Sequence, residues 1–189
     1  MGADIHMFVE YRSKKVVQEL KNEGKKPYWY SYGGHINPGR NYTMFGVLAC
    51  VRGQYEDSFE PKGKLPKDEM GFLSQHDAWL TIMHVNDVDV CEGYIKLEDA
   101  KKYESYGRQI LNDEEGIPRW VEHPEYHSHS WMSPDELEEA FKRYTVHASD
   151  EWGEEINNVP LEYRALLASM KVLEDDGENE VRVVFWFDN

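Results

Sequence analysis

Disulfides, membrane spans and the common nucleotide and hydrolase signatures are all missing from this sequence. Two cysteines, Cys50 and Cys91, among 189 residues cannot build a disulfide framework and suit a reducing compartment. No apolar run approaches the 18 residues that a spanning helix needs. The opening MGADIHMFVEYR has no cationic stretch followed by an apolar one, so a secretory leader is not expected and the cytoplasm is. Gly-x-x-x-x-Gly-Lys-Ser/Thr, Gly-x-Gly-x-x-Gly, Gly-x-Ser-x-Gly, His-Glu-x-x-His and Cys-x-x-Cys do not occur, which removes the usual motif support for nucleotide loops, serine hydrolases and common zinc sites. No internal repeat or long linker breaks the chain, so residues 1–189 are expected to form one domain. Cations are also scarce: 21 Lys/Arg stand against 36 Asp/Glu, a formal charge of −15. That balance argues against a protein living on nucleic acid backbone, where Lys and Arg supply most of the affinity.

Aromatic residues are abundant, with six Trp, twelve Tyr and seven Phe, enough apolar surface to offset the entropy of ordering. The acidity is unevenly spread. Residues 1–68 hold 11 Lys/Arg and 8 Asp/Glu, and residues 69–189 hold 10 and 28. The first third is therefore mildly basic and suited to an anionic ligand, while the acidic remainder reads as solvated surface or a face for a host protein.

Alternation predicts a strand over 3–11, with Ile5, Met7, Val9 and Tyr11 on one face and Asp4, His6, Phe8 and Glu10 on the other. A short strand is expected over 15–20. The aromatic run at Tyr28, Trp29 and Tyr30 is read as core or pocket wall. A helix is predicted from Asn41, as N-cap, to Arg52, closed by Gly53. Others are predicted over 97–111, from a Ser74–Asp77 capping box, from the Ser133-Pro134-Asp135-Glu136 box to about Tyr144, and from Pro160, with Leu166, Leu167, Met170 and Leu173 inward. Val181 to Phe187 has the most concentrated strand composition. Strands at both ends with helices between, without βαβ alternation, predict a single α+β domain with a mixed or antiparallel sheet that includes both terminal strands.

Two histidine motifs carry the chemistry. Asp4 and His6 share a strand face about 7 Å apart. His127, His129 and Trp131 would point one way if extended. Asp4, His6, His127 and His129 together supply enough nitrogen and oxygen donors for a divalent metal ion, provided the two segments meet. Glu10, His127 and His129 are the candidate catalytic residues, with Glu10 as general base. Arg40, Asn41, Tyr42 and Arg52 are the candidate ligand-binding residues, since Arg40 and the first turn of the following helix suit a phosphate or carboxylate.

Four blocks, Gly2-Ala3-Asp4-Ile5-His6, Gly39-Arg40-Asn41-Tyr42 with Phe45, Ala49 and Arg52, His127-Ser128-His129-Ser130-Trp131, and Phe185-Trp186-Phe187-Asp188-Asn189, resemble a family of small uncharacterised proteins encoded by bacteriophages and prophages. Relatives tend to carry Gly-Cys-Asp-Ile-His where this chain has Ala3. The resemblance brings no assigned reaction. It implies phage origin and action in the cytoplasm of a bacterial host, and it draws Asp4, His6, Arg40, Asn41, Tyr42, Arg52, His127 and His129 toward one site. The expectation is a metal-dependent hydrolase of phosphoesterase type acting on a small anionic substrate. The alternatives are a non-catalytic binder of a nucleotide-like host metabolite and an acidic interaction protein that engages a host factor.

Overall fold

The computed structural model describes residues 2–63, 65–74, 110–112, 118–121, 126–152 and 158–188. A four-stranded antiparallel sheet with helices packed on it forms a single α+β arrangement. The strands are β1 (Asp4–Ser13), β2 (Tyr30–Ile36), β5 (His127–Met132) and β6 (Asn179–Asp188), in the order β2-β1-β6-β5. The centre is formed by β1 and β6, which pair without a break from Asp4↔Asp188 to Ser13↔Asn179. A separate hairpin pairs β3 (Ile110–Asn112) with β4 (Pro118–Val121). The helices are α1 (Lys14–Asn22), α2 (Tyr42–Ala49), α3 (Pro134–Trp152) and α4 (Leu161–Glu174).

The alternation in β1 divides the sheet as its sequence demands. Ile5, Met7 and Val9, with Val181, Val183, Phe185 and Phe187 of β6, face α2, α3 and α4 and form the main core. Helix α2 is buried on nearly every side from Thr43 to Ala49, as expected of a helix apolar all round. Asn41 caps it: its Oδ1 accepts from the Met44 amide at 2.9 Å, and its Nδ2 donates to the Tyr144 hydroxyl at 3.1 Å. The helix stops at Ala49 because Cys50 takes the left-handed conformation, φ 57°, three residues before the expected glycine. At Ser133 the capping box forms in both directions, with Glu136 N to Ser133 Oγ at 3.2 Å and Ser133 N to Glu136 Oε2 at 2.9 Å. Helix α3 then runs on to Trp152, beyond the expected end at about Tyr144.

Several expectations are corrected. Residues 15–20 lie in α1 and not in a strand. Val16, Val17 and Leu20 recur at helical spacing, and the flanking lysines and glutamate are exposed. Tyr28 and Tyr30 are 52% and 46% exposed, just before and at the start of β2, the outer strand of the sheet among the described residues. Ile110 and Leu111 belong to β3, not to the end of a helix. The rest of that predicted helix, and positions 75–77 of the Ser74 box, lie outside the described residues.

The second face of the sheet has its own apolar cluster, Phe8, Val184, Trp186, Tyr126, Leu65 and Met70, with Leu73 and Trp131 against it. Residues 62–63 and 65–74 lie against this face. They are fixed at one end by Lys62 N to Ser130 Oγ at 3.2 Å and Gly63 N to the His129 carbonyl at 2.9 Å. Near the other end, Gly71 N donates to Glu10 Oε1 at 2.5 Å and Leu73 N to Ser31 Oγ at 3.1 Å.

Candidate functional site

The site begins where β1 starts and β6 ends. Antiparallel pairing sets Asp4 opposite Asp188, and two like charges directly opposed on a sheet repel. Each carboxylate is compensated separately. Asp4 accepts a two-pronged contact from Arg40, Nε to Oδ1 and Nη2 to Oδ2, both at 2.7 Å. Asp188 Oδ2 lies 3.0 Å from His6 Nε2, and its Oδ1 accepts from the Asp4 amide at 3.1 Å. The hydrogen bond from Arg40 holds the Asp4 carboxyl below the ordinary aspartate range, and the same contact pushes the Arg40 guanidinium higher still.

Arg40 is placed by the turn Asn37-Pro38-Gly39, in which Gly39 takes φ 80° and its amide donates to Asn37 Oδ1 at 3.0 Å. The guanidinium is half exposed, 53%. It lies over Gly2, where an added Cβ would sit 2.4 Å from Nη1 and 3.1 Å from the Tyr42 hydroxyl. Gly2 therefore lets the guanidinium and the phenol close over the backbone. A guanidinium carries five N–H bonds. Asp4 takes two, and the other three meet no protein acceptor among the described residues.

From this corner a row of rings crosses the second face, one from each strand. His35 of β2 stacks on His6 of β1, centroids 4.9 Å apart and planes 19° apart. Next, His6 lies on Trp186 of β6 at 5.9 Å and 10°. Trp186 then lies against His129 of β5 at 5.9 Å and 23°. Tyr126 closes the row, 5.0 Å from His6 and 5.9 Å from Trp186. These separations suit offset-stacked rings and follow from the interstrand spacing of about 4.8 Å.

The structure therefore unites some of the sequence-predicted residues and separates others. Asp4, His6, Arg40 and Tyr42 gather at the strand ends. His6 and His129 stand on either side of Trp186, two strand spacings or about 10 Å apart, too far for one ion bound through contacts of about 2 Å. His127 lies on the other face, stacked on Phe187 at 6.1 Å. The cause is a bulge: pairing shifts by one residue between His127 and Ser130, with Ser128 at φ 51°, so the alternation expected for His-x-His breaks at its middle residue. Among the described residues no group of three or more His, Cys, Asp or Glu is arranged to hold a metal ion.

Asn41 spends both ends of its amide on the α2 cap and on Tyr144. Arg52 follows α2 while Arg40 precedes it, so a helix about 12 Å long separates them, and Arg52 takes φ 59°. Glu10 is fully buried. It accepts from Arg182 Nε at 2.9 Å and Nη2 at 2.7 Å, from Gly71 and from Ser74 Oγ. It lies on the same strand face as His6 but about 13 Å along β1, committed to holding residues 71–74 and Arg182.

Three members of the site went unread in the sequence: His35, Tyr126 and Asp188. A signal existed for Asp188. It shares a strand face with Trp186 by simple alternation, and antiparallel pairing of the two terminal strands brings that face beside Asp4 and His6. For His35 and Tyr126 no local pattern points to the site. Compared with protein-family models, curated proteins and solved structures, the chain matches none.

Proposed function

We propose that the chain binds a small anionic ligand, phosphate-bearing or carboxylate, at the end of β1 and β6. The observation that carries this reading is the Arg40 guanidinium. It is fixed by two contacts to Asp4 and half exposed over Gly2, with three N–H donors uncommitted among the described residues. Oriented N–H groups of this kind match the planar oxygen pairs of carboxylates and phosphates. Tyr42 offers a hydroxyl at the same spot, and the imidazole of His6, oriented by Asp188, stands beside it as a second donor or a proton carrier. Asp4 cancels the charge of Arg40 at a distance, so recognition rests on directed donors more than on a long-range field, and binding should depend only weakly on salt. Resemblance to phage-encoded proteins supports a bacterial cytoplasm as the place of action.

A second reading, metal-dependent hydrolysis of that ligand, rests on one distance. His6 Nε2 and Asp188 Oδ2 are 3.0 Å apart, the separation that two donors keep on one divalent ion with bonds of about 2.1 Å set at right angles. An ion held there would polarise a phosphoryl oxygen or supply hydroxide.

Calorimetry with inorganic phosphate and a nucleoside 5′-monophosphate, with and without Mn²⁺, tests both. Saturable binding of either anion that is lost in Arg40→Gln supports the binder, and hydrolysis of the monophosphate ester by water to nucleoside and inorganic phosphate, only with metal, supports the hydrolase. If neither anion binds, or if Arg40→Gln binds as well as the parent, the proposal falls.

A further inference from the structure

The Arg40 corner also sets the charge of what it takes. A guanidinium has two edges that each grip a pair of oxygens: a side edge formed by Nε and Nη2, and an end edge formed by Nη1 and Nη2. Asp4 fills the side edge with both of its oxygens, Nε to Oδ1 and Nη2 to Oδ2, each at 2.7 Å. The end edge keeps one N–H from each terminal nitrogen. Of these, Nη1 is the atom that lies over Gly2, beside the Tyr42 hydroxyl. One further oxygen pair in the guanidinium plane completes this second fork.

The charge of Arg40 is already spent. Besides Asp4, the Tyr42 hydroxyl and the Asp188 carboxylate act on it electrostatically. Asp188 faces Asp4 across the β1–β6 pair, and its Oδ1 accepts from the Asp4 amide at 3.1 Å, so two carboxylates stand side by side at the strand ends. Asp188 Oδ2 lies 3.0 Å from His6 Nε2. Even a protonated His6 only brings two cations level with two carboxylates. A ligand on the end edge is therefore held by directed N–H groups and not by surplus positive charge. It shares the guanidinium with Asp4, inside the screening length of about 8 Å, and Asp188 stands one strand away. Any charge beyond the one carried by its bonded oxygen pair meets two carboxylates and gains no further donor.

We propose that the end edge of Arg40 takes a monoanion with one pair of oxygens, a carboxylate or a phosphodiester, and that Asp188 turns away doubly charged phosphate monoesters. This rests on the anion site proposed above and narrows its ligand class; inorganic phosphate qualifies in its singly charged form. Asp188 is then the residue that sets specificity: it leaves the fork to Asp4 and Arg40 and acts on the ligand through its charge alone.

Titrations at pH 8 in metal-free buffer of constant ionic strength, followed at the Arg40 Cζ carbon resonance, test this. Methyl phosphate is doubly charged there, since the second pKa of a phosphate monoester is about 6, whereas acetate and dimethyl phosphate each carry one charge. The parent should bind acetate or dimethyl phosphate about tenfold or more tightly than methyl phosphate. The tighter of the two monoanions assigns the oxygen pair to a carboxylate or to a phosphodiester. In Asp188→Asn, methyl phosphate should bind more tightly than in the parent while the monoanions change little; a purely structural role for Asp188 would weaken all three. The ranking on the parent needs no variant, so it decides the matter even if Asp188→Asn folds poorly. Equal binding or a preference for methyl phosphate overturns the inference and leaves the anion site standing. An unchanged ranking in a folded Asp188→Asn overturns the role of Asp188. If none of the three binds at Arg40, the anion site and this inference fall together.

Discussion

Glu10 and Arg182 form the pair on which the second face is built. Both are buried, with exposures of 0% and 7%, and they are joined by two contacts at 2.9 and 2.7 Å. The guanidinium also lies 3.8 Å over the Trp29 ring and donates to the Glu69 carbonyl. Burial pushes the Arg182 guanidinium down, against the upward pull of Glu10. Removing the carboxylate alone strands a buried cation, so Glu10→Ala should cost about 3–5 kcal/mol in urea unfolding, while the apolar double replacement Glu10→Leu/Arg182→Met should recover most of that loss. A loss below about 1 kcal/mol for the single variant would mean that the pair is solvated. Asp4 and Arg40 make the opposite case at an exposed position. The Asp4 carboxyl is depressed below its ordinary value of 3.8 by the hydrogen bond from Arg40. Its contribution to stability is therefore present above that value and disappears as pH falls through the lower folded-state value. Urea midpoints of the parent and of Arg40→Gln should differ at pH 6 and converge as the pH falls below the ordinary 3.8 and through the depressed folded-state value. A gap that persists unchanged in acid would show that Arg40 stabilises by packing and not through its charge.

Short-range rules decided the elements that the sequence revealed. Alternation was enough for β1 and β6, and the Ser133 box was legible because a cap needs only its own four residues. That box belongs to α3, and Ser133→Ala should lower stability by about 1 kcal/mol, seen as a lower thermal midpoint with the fold retained. An unchanged midpoint would mean that the helix end is satisfied otherwise. Elements that depend on distant neighbours were not legible. Strand β5 pairs with β6 across a bulge at Ser128, and nothing in His-Ser-His-Ser-Trp announces the extra residue that turns His127 to the opposite face from His129. Helix α1 was hidden because Val16 and Val17 favour strands, and only the recurrence of Leu20 one turn later gives it away. Cys50 ends α2 in a conformation usually reserved for glycine or asparagine, so the expected boundary at Gly53 came three residues late.

At the scale of the whole molecule, a chain of net charge −15 gathers directed N–H donors at one end of its sheet. Its mildly basic first third supplies β1, β2 and the Arg40 turn, and the last strand, β6, closes against them. Residues far apart in sequence thus make one site: Asp4, His6, Arg40 and Tyr42 stand out in local motifs, whereas Asp188 joins them only once the two terminal strands are paired, Asp4 opposite Asp188. The same pairing separates the histidine motifs, since β6 lies between β1 and β5 and puts Trp186 between His6 and His129. The proposed anion site stands or falls with Arg40, which Asp4 holds at the strand ends by two contacts. Nuclear magnetic resonance of the Arg40 Nε–H and of the imidazoles during a titration with inorganic phosphate addresses it most directly. An anion seated on Arg40 should give saturable shifts at Arg40, His6 and His35, with His147 of α3, held by Asp57 at 2.6 Å, unaffected. Shifts that never saturate, or that appear equally at His147, would contradict it.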